Sequence, residues 1–226
     1  MEKLDYIQKL EKELLQRTEA LAQKEKAVAE LKLNLEKVIE DKTAELRLAN
    51  EKLSLLASTD PLTELMNRRE FENRFHQEVE RSQRYKRVFA IAMVDVDGFK
   101  RINDSQGHAF GDRILKLLAK IFAINLRKTD IVARIGGDEF VLLLPETPTE
   151  KAVEICNRLK TVIEEAFRHD GQITASFGLA AFPNAGNDAT KILEFADQAL
   201  YEAKQAGRNR VKLKEKTQYG SLFHTK

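Results

Sequence analysis

Residues 132–144 read VARIGGDEFVLLL, with two short apolar runs on either side of a turn made of Gly136, Gly137 and Asp138. Apolar runs of this length around a glycine-rich turn are typical of a β-hairpin. The two glycines permit positive φ and let the backbone approach a ligand closely. The stretch therefore predicts a hairpin that presents the Asp138 carboxylate on a sharp turn. Taken alone, the pattern is equally compatible with a hairpin that has only a structural role.

The hairpin lies in a segment, residues 57–215, in which helical and strand-like patterns alternate without an internal repeat. Asn67 is placed to cap the first helix, which runs to about Tyr85. Further helices are predicted over 100–106, 110–127, 149–167 and 188–205. Strands are predicted over 89–95, 132–135, 139–144, 173–182 and 210–213. The interleaving of the two types predicts an α/β domain with a mixed sheet and helices packed against it.

A second acidic stretch precedes the hairpin, where residues 94–100 read VDVDGFK at the end of an apolar strand. Asp95 and Asp97 are two residues apart, so both can point to one face of the strand. Ionised carboxylates in an apolar strand are costly unless a cation or donor pairs with them. A hard dication such as Mg²⁺ is one solution, and capping of the next helix is the other. Together with Asp138, the pair suggests a two-metal site.

The first 56 residues contain no Gly and no Pro and are dominated by Glu, Lys, Leu and Ala. Apolar residues recur at heptad spacing at Ile7, Leu10, Leu14, Leu21, Val28, Leu31, Leu35 and Val38. The repeat predicts one helix about 80 Å long that pairs with a second copy, most simply as a parallel dimer. Arg17 and Lys24 weaken the seam. The alternatives are a single solvated helix and a helix packed back on its own domain.

The heptad register shifts by four residues after Val38, because the later seam positions are Leu46, Ala49, Leu53 and Leu56. Such a stutter locally unwinds a coiled coil. One hypothesis is that two registers compete and transmit a rotation to the following domain, and the other is that the irregularity has no effect.

Composition narrows the function classes. The 226 residues have a formal charge of +2 and 42% hydrophobic content, which disfavours nucleic-acid binding through bulk charge. The single cysteine, Cys156, lies in an apolar helical pattern and is expected to be a buried, inert thiol. The charged N-terminus lacks a signal-peptide pattern, and no stretch has the length of a membrane span. We therefore expect a cytoplasmic protein without direct membrane insertion.

Four motifs in this order and spacing resemble the GGDEF family of diguanylate cyclases. They are DPLTELMNRREF at 60–71, DVDGFKRINDSQGHAFGD at 95–112, GGDEF at 136–140 and AKQAGRNRV at 203–211. The resemblance implies a palm-like fold similar to that of adenylyl cyclases and polymerases. It also implies that a homodimer condenses two GTP into cyclic di-GMP and two pyrophosphates.

The resemblance assigns roles to matching positions. Asp95, the Val96 carbonyl and Asp138 would bind two Mg²⁺ or Mn²⁺ ions per active site. Glu139, with Gly136 and Gly137, would complete the catalytic turn.

For the substrate, Asn103 and Asp112 would recognise the guanine edge, and a carboxylate there favours GTP over ATP. The phosphates would be held by Phe99, Lys100, Lys204 and Arg208. Two alternatives stay open, namely that Phe99 belongs to the core and that Lys204 is a solvated helix residue.

The resemblance also implies product inhibition. Arg127 and Asp130 match an RxxD inhibitory site at the family's spacing from the hairpin, and Arg158 is a third member by position. The alternative is a helix-terminal ion pair. One departure is Glu64, where the family usually has Gly, so that a positive φ at this position would carry a cost of order 1 kcal/mol.

The expected organisation is a coiled coil over 1–56, a catalytic domain over 57–215 and a tail over 216–226. The input would come from an upstream sensor domain. The rival function is a GGDEF-like module that binds GTP or cyclic di-GMP without catalysis, against which the retained acidic residues argue.

Overall fold

The computed structural model describes residues 2–168 and 173–215, so the predicted tail over 216–226 lies outside the described residues. The chain divides into two compact units, Met1–Leu55 and Leu56–Lys226.

The first unit consists of most of α1, which extends over Glu2–Ser58 as one uninterrupted helix. The absence of Gly and Pro and the abundance of Glu, Lys, Leu and Ala favour this length. The larger seam residues whose side chains are described are more than half exposed, namely Leu14, Leu21, Val28, Leu31, Leu35, Val38 and Leu46. Ala49 is exposed as well. The side chains of Ile7, Leu10, Leu53 and Leu56 lie outside the described part of the chain. None of the described helices combines the length and apolarity that a membrane crossing requires.

The described residues of the second unit form five further helices and six strands. The helices are α2 (Arg68–Tyr85), α3 (Phe99–Gln106), α4 (His108–Asn125), α5 (Thr149–Ala166) and α6 (Ala189–Gln205). The strands are β1 (Met66–Asn67), β2 (Phe89–Val96), β3 (Ile131–Arg134), β4 (Glu139–Pro145), β5 (Ala175–Phe182) and β6 (Val211–Leu213). The predicted bounds in this unit differ from these by one or two residues, and β1 was not predicted.

The strands form one mixed sheet in the order β1-β3-β4-β2-β5-β6. Strand β2 lies at the centre and pairs antiparallel with β4 and β5, while the outer pairs β1–β3 and β5–β6 are parallel. Side chains of β2 alternate between two apolar cores. Val94 packs with α3, α4 and α5, and Ile91 packs with α2 and α6. The predicted α/β class with a mixed sheet is thereby confirmed.

Two of these helices, α2 and α6, begin with a side-chain N-cap. The Asn67 carboxamide oxygen accepts a hydrogen bond from the Glu70 amide at 3.0 Å, and Asp188 accepts from the Lys191 amide at 3.1 Å. The cap predicted at Asn67 is therefore confirmed.

Candidate active site

The end of β2 and the β3–β4 turn meet at one edge of the sheet. Asp95 on β2 lies opposite Glu139 on β4 in the antiparallel register. One residue further, the Val96 amide donates to the Asp138 carbonyl at 3.3 Å. The register of two strands therefore brings together acidic residues that are more than forty positions apart in the sequence.

Asp95 is a buried carboxylate with a cationic partner. Only 8% of its surface is exposed, and the Lys204 Nζ lies 2.7 Å from its Oδ2. Burial raises the pKa of Asp95 above its ordinary value, and the charges of Asp138 and Asp97 act in the same direction. The Lys204 ammonium lowers this pKa and so offsets part of the effect. Lys204 is therefore more than a solvated helix residue.

The two hairpin glycines do not adopt the positive φ that the sequence allowed for them. The left-handed glycines of the described chain are Gly98, Gly107, Gly186 and Gly207, so neither Gly136 nor Gly137 uses positive φ. A Cβ on Gly136 would lie 2.5 Å from the Glu139 Oε2, whereas one on Gly137 would meet nothing within 4 Å. Gly136 thus makes room for the Glu139 side chain instead of allowing an unusual backbone angle.

A side-chain bridge fixes the turn from outside. Arg134 donates through Nη2 to the Gly137 carbonyl at 2.7 Å and through Nη1 to Asp60 at 3.0 Å. The same Asp60 oxygen accepts from the Thr63 amide at 2.9 Å and the Thr63 hydroxyl at 2.6 Å. Burial on its own would raise the pKa of Asp60, but these donors lower it below its ordinary value. Asp60 and Thr63 lie in the motif at 60–71, but the sequence gave no sign of their link to Arg134.

The donor set at this edge suits a hard divalent cation only in part. Asp95 and half-buried Asp138 offer carboxylate oxygens, which Mg²⁺ and Mn²⁺ accept as ligands. No group of three or more His, Cys, Asp or Glu side chains with metal-site spacing occurs within residues 2–168 and 173–215. Mg²⁺ usually takes one or two carboxylates and completes its shell with substrate phosphates and water. The residues therefore fit a metal that arrives with a phosphate ligand.

Asp97 does not join Asp95, although the sequence allowed both to share a face. Its oxygens accept hydrogen bonds from the hydroxyls of Thr174 and Ser176, each at 2.7 Å. It does not cap α3 either, because the N-cap of that helix is Gly98, with φ of 72° and no side-chain hydrogen bond. Asp97 therefore neither pairs with Asp95 nor caps α3, which are the two roles that the sequence suggested for it.

A cavity of about 530 Å³ opens beside Asp97. Its lining includes the two predicted phosphate ligands Lys100 and Arg208, together with Arg101, which the motifs did not single out. The Phe99 side chain is 9% exposed and packs in the core with α4 and α5. Any contact of Phe99 with a phosphate would have to come from its backbone.

The two predicted guanine ligands lie on consecutive helices. Asn103 on α3 has a buried Oδ1 without a hydrogen-bond partner, and a Cβ on Gly111 would come within 2.0 Å of this oxygen. Asp112 is exposed near the start of α4. A buried acceptor without a partner is costly, which is consistent with a ligand that supplies a donor.

The three predicted inhibitory residues meet at the end of α4. The Arg127 amide donates to the Asp130 carboxylate at 2.9 Å, so the RxxD segment closes a turn on itself. Arg158 on α5 donates to the Asn125 carbonyl at 2.8 Å, only two residues before Arg127. Arg127 keeps its side chain exposed.

Two further expectations can be compared with the structure. Cys156 is fully buried, and burial raises the pKa of its thiol to about 12, which confirms an inert thiol. Glu64 has φ of 61°, so this position does adopt the left-handed conformation that glycine favours.

Comparison with known proteins shows which family the chain resembles. The model of the diguanylate cyclase GGDEF domain matches residues 57–210. Diguanylate cyclase DgcP of Pseudomonas aeruginosa is 45% identical over 162 residues, which cover 70% of this chain and 24% of that protein. Diguanylate cyclase DosC of Escherichia coli is 38% identical over 159 residues, which cover 68% of this chain and 34% of that protein. The chain thus spans 24% and 34% of the length of these two relatives.

Solved structures agree in fold. The coiled coil and GGDEF domain of DgcB from Caulobacter crescentus, in complex with c-di-GMP, gives a TM-score of 0.73 at 29% identity, with 80% of this chain and 99% of that chain covered. Diguanylate cyclase SiaD of Pseudomonas aeruginosa, in complex with its activator SiaC, gives 0.67 at 34% identity, with 94% and 84% covered. Since the family model matches well over half of the residues, this chain belongs to the GGDEF family of diguanylate cyclase domains.

Proposed function

We propose that this chain is a diguanylate cyclase that condenses two GTP into cyclic di-GMP and releases two pyrophosphates. The observation that carries the proposal is the Asp95–Lys204 pair at the end of β2. It holds a buried carboxylate next to the Asp138 turn, on a strand that leads directly into the cavity lined by Lys100 and Arg208. A strand end that joins acidic and phosphate-binding groups suits transfer of a nucleotidyl group.

The reaction needs two substrates that face each other. The 3′-oxygen of one GTP forms a bond to the α-phosphorus of the other, the bond to the β-phosphate oxygen breaks, and pyrophosphate leaves while the 3′-hydroxyl loses its proton. The same step in the opposite sense closes the ring. A divalent ion held by Asp95, the Val96 carbonyl and Asp138 would polarise the α-phosphate and favour ionisation of the 3′-hydroxyl.

The chain's own cations would orient the triphosphate. Lys100 and Arg208 line one cavity, and Lys204 lies within reach of the carboxylate edge. Cationic side chains stabilise the negative charge that grows on departing pyrophosphate. Asn103 and Asp112 would select guanine, because Asp112 can accept from both the N1–H and the exocyclic amine, a donor pair that adenine lacks.

Each domain holds one GTP in this proposal, so two copies must meet. The exposed seam of α1 offers the means, since a coiled-coil dimer raises the effective concentration of one site near the other. Segment 1–56 would then form the dimer, and segment 57–215 would carry out catalysis. Product inhibition would use Arg127, Asp130 and Arg158, whose arrangement leaves a guanidinium free for a guanine or a phosphate. We place this activity in the cytoplasm, under the control of an upstream sensor domain.

The first test is incubation of the purified chain with GTP and Mg²⁺, with products separated by chromatography and identified by mass. We expect cyclic di-GMP from the wild type and none from Asp138→Ala. Asp188→Ala is the matched control, because it also removes a carboxylate, an N-cap of α6, but leaves the Asp95–Asp138 edge intact.

The rival is a module that binds GTP or cyclic di-GMP and signals without catalysis. Light scattering of the same sample separates the two. A sample that is dimeric, binds cyclic di-GMP in calorimetry and forms no product from GTP would contradict the cyclase and support the receptor.

A further inference from the structure

We propose that Asp97 is a positioning residue that holds the loop over residues 207–210 so that Arg208 faces the triphosphate. The inference rests on the proposed function, because it gives Arg208 the role of a phosphate ligand. Asp97 does not touch the substrate in this view. It acts through the loop.

Two separate parts of the chain converge on the Asp97 carboxylate. Its Oδ2 accepts from the Thr174 hydroxyl at 2.7 Å and the Asn209 amide at 3.0 Å, and its Oδ1 accepts from the Ser176 hydroxyl at 2.7 Å. The Asp97 amide also donates to the Thr174 carbonyl at 2.9 Å. One side chain thus joins the residue after β2, the start of β5 and the loop before β6. Hydrogen bonds to a charged group are about twice as strong as neutral ones.

The loop needs such support because its backbone conformation is unfavourable. Gly207, Arg208 and Asn209 have φ of 107°, 61° and 46°. The left-handed region is sterically unfavourable for residues other than glycine, although least so for asparagine, and here two non-glycine residues in this region follow each other. Backbone hydrogen bonds hold the two ends of the loop. The Arg208 amide donates to the Ala203 carbonyl at 3.0 Å, and the Phe177 amide donates to the Arg210 carbonyl at 2.8 Å. The Asp97 carboxylate holds its middle, one residue from Arg208.

Charge supports the same role. Asp97 lines the cavity that contains Lys100 and Arg208, where a free carboxylate would repel a triphosphate. Its three donors occupy both oxygens, so the negative charge is spread over hydroxyl and amide groups. Because a lone carboxylate there would oppose substrate binding, its presence is best explained by what it holds in place.

The test is steady-state kinetics of the full chain with GTP and Mg²⁺. We expect Asp97→Ala to raise KM for GTP about tenfold and to change kcat by less than about threefold, since lost loop order weakens phosphate binding more than the chemical step. Asp97→Asn should come close to wild type, because its amide oxygen can still accept from the Asn209 amide and its NH₂ can donate to Ser176.

A double-mutant cycle shows whether Asp97 acts through Arg208. Asp97→Ala should not raise KM further in an Arg208→Ala background, because the positioned group is already missing. An equal KM increase in both backgrounds, or an unchanged KM in the single variant, would overturn the inference. Asp188→Ala, which removes the cap at the opposite end of α6 from the loop, measures how much KM responds to a change in helix stability.

Two further measurements keep the result decidable. If Asp97→Ala does not fold, the double variant Thr174→Val/Ser176→Ala removes both hydroxyl donors and should raise KM in the same way. If the wild type forms no cyclic di-GMP, the proposed function fails. The affinity of the protein for 3′-deoxy-GTP, measured in the presence of Mg²⁺, then tests whether Asp97 positions Arg208. A tenfold weaker affinity in Asp97→Ala supports it, and an unchanged affinity refutes it.

Discussion

Glu64 has φ of 61° at a position where glycine carries no steric cost. We expect Glu64→Gly to raise the free energy of unfolding by about 1 kcal/mol, since the Cβ that opposes this conformation is removed. Urea denaturation at one fixed protein concentration measures the change. Glu64→Ala is the matched control, because it removes the carboxylate and keeps the Cβ. A glycine variant no more stable than the alanine variant would contradict the argument.

Asp60 links stability to pH. Its pKa lies below the ordinary value of 3.8 because the donors on Thr63 and Arg134 outweigh the effect of burial. A carboxylate with a lowered folded pKa stabilises the protein above its unfolded pKa, and this contribution disappears as pH falls through the folded value. We expect Asp60→Asn to lower the free energy of unfolding by about 2 kcal/mol at neutral pH.

The difference between wild type and Asp60→Asn should shrink as pH falls below 3.8, where the carboxylate of the unfolded chain takes up a proton, and the loss should be complete once pH passes the lower pKa of the folded protein. Urea titrations at several pH values test this, with exposed Asp104→Asn as the control. A difference that stays constant over the whole range would show that the charge of Asp60 is irrelevant.

At the scale of helices and strands, α6 lies directly on the sheet because of one glycine. A Cβ on Gly178 of β5 would come within 2.0 Å of the Leu200 amide nitrogen and 2.2 Å of the Ala196 carbonyl oxygen. These are backbone atoms, so α6 itself would have to move. We expect Gly178→Ala to destabilise the domain by about 3 kcal/mol and to reduce activity beyond the loss of folded protein, since Lys204 lies on α6.

Thermal unfolding and the specific activity of the folded fraction measure both effects. Gly137→Ala is a useful control for stability, because a Cβ there would meet nothing within 4 Å. Normal activity of folded Gly178→Ala would show that the position of α6 is adjustable.

Local patterns predicted these elements well, and they failed where distant parts of the chain decide. Apolar periodicity located β2 and the helices within one or two residues, but β1 has only two residues and forms because Met66 pairs with Ala133. Motif spacing predicted that Asp95 and Asp138 belong to one acidic site, and the strand register places them at one edge of the sheet. The spacing could not show that Asp97 turns away to Thr174 and Ser176, because those donors are almost eighty positions later. The role of Gly136 was likewise missed, since it depends on the side chain of Glu139.

For the whole molecule, the proposed activity depends on two copies meeting. Leu35 is 56% exposed on the predicted seam, whereas Leu33 is 68% exposed at a position off the seam. We expect Leu35→Lys to weaken the dimer and to lower specific activity at low protein concentration, with recovery at high concentration. Light scattering and activity across a concentration series measure this. Leu33→Lys has the same change in charge and should behave as wild type, so equal effects of the two variants would reject the seam.

The Asp95–Lys204 pair separates the requirements of folding from those of the reaction. The chain itself supplies a cationic partner for the buried Asp95 carboxylate at 2.7 Å, so this carboxylate does not depend on a metal ion for its counter-charge. In this respect it differs from small zinc domains, which are unfolded without their ion. We expect a chelator to abolish product formation and to leave the melting temperature unchanged. In Lys204→Met the carboxylate loses its partner, and added Mg²⁺ or Mn²⁺ should then raise the melting temperature of the variant but not that of the wild type.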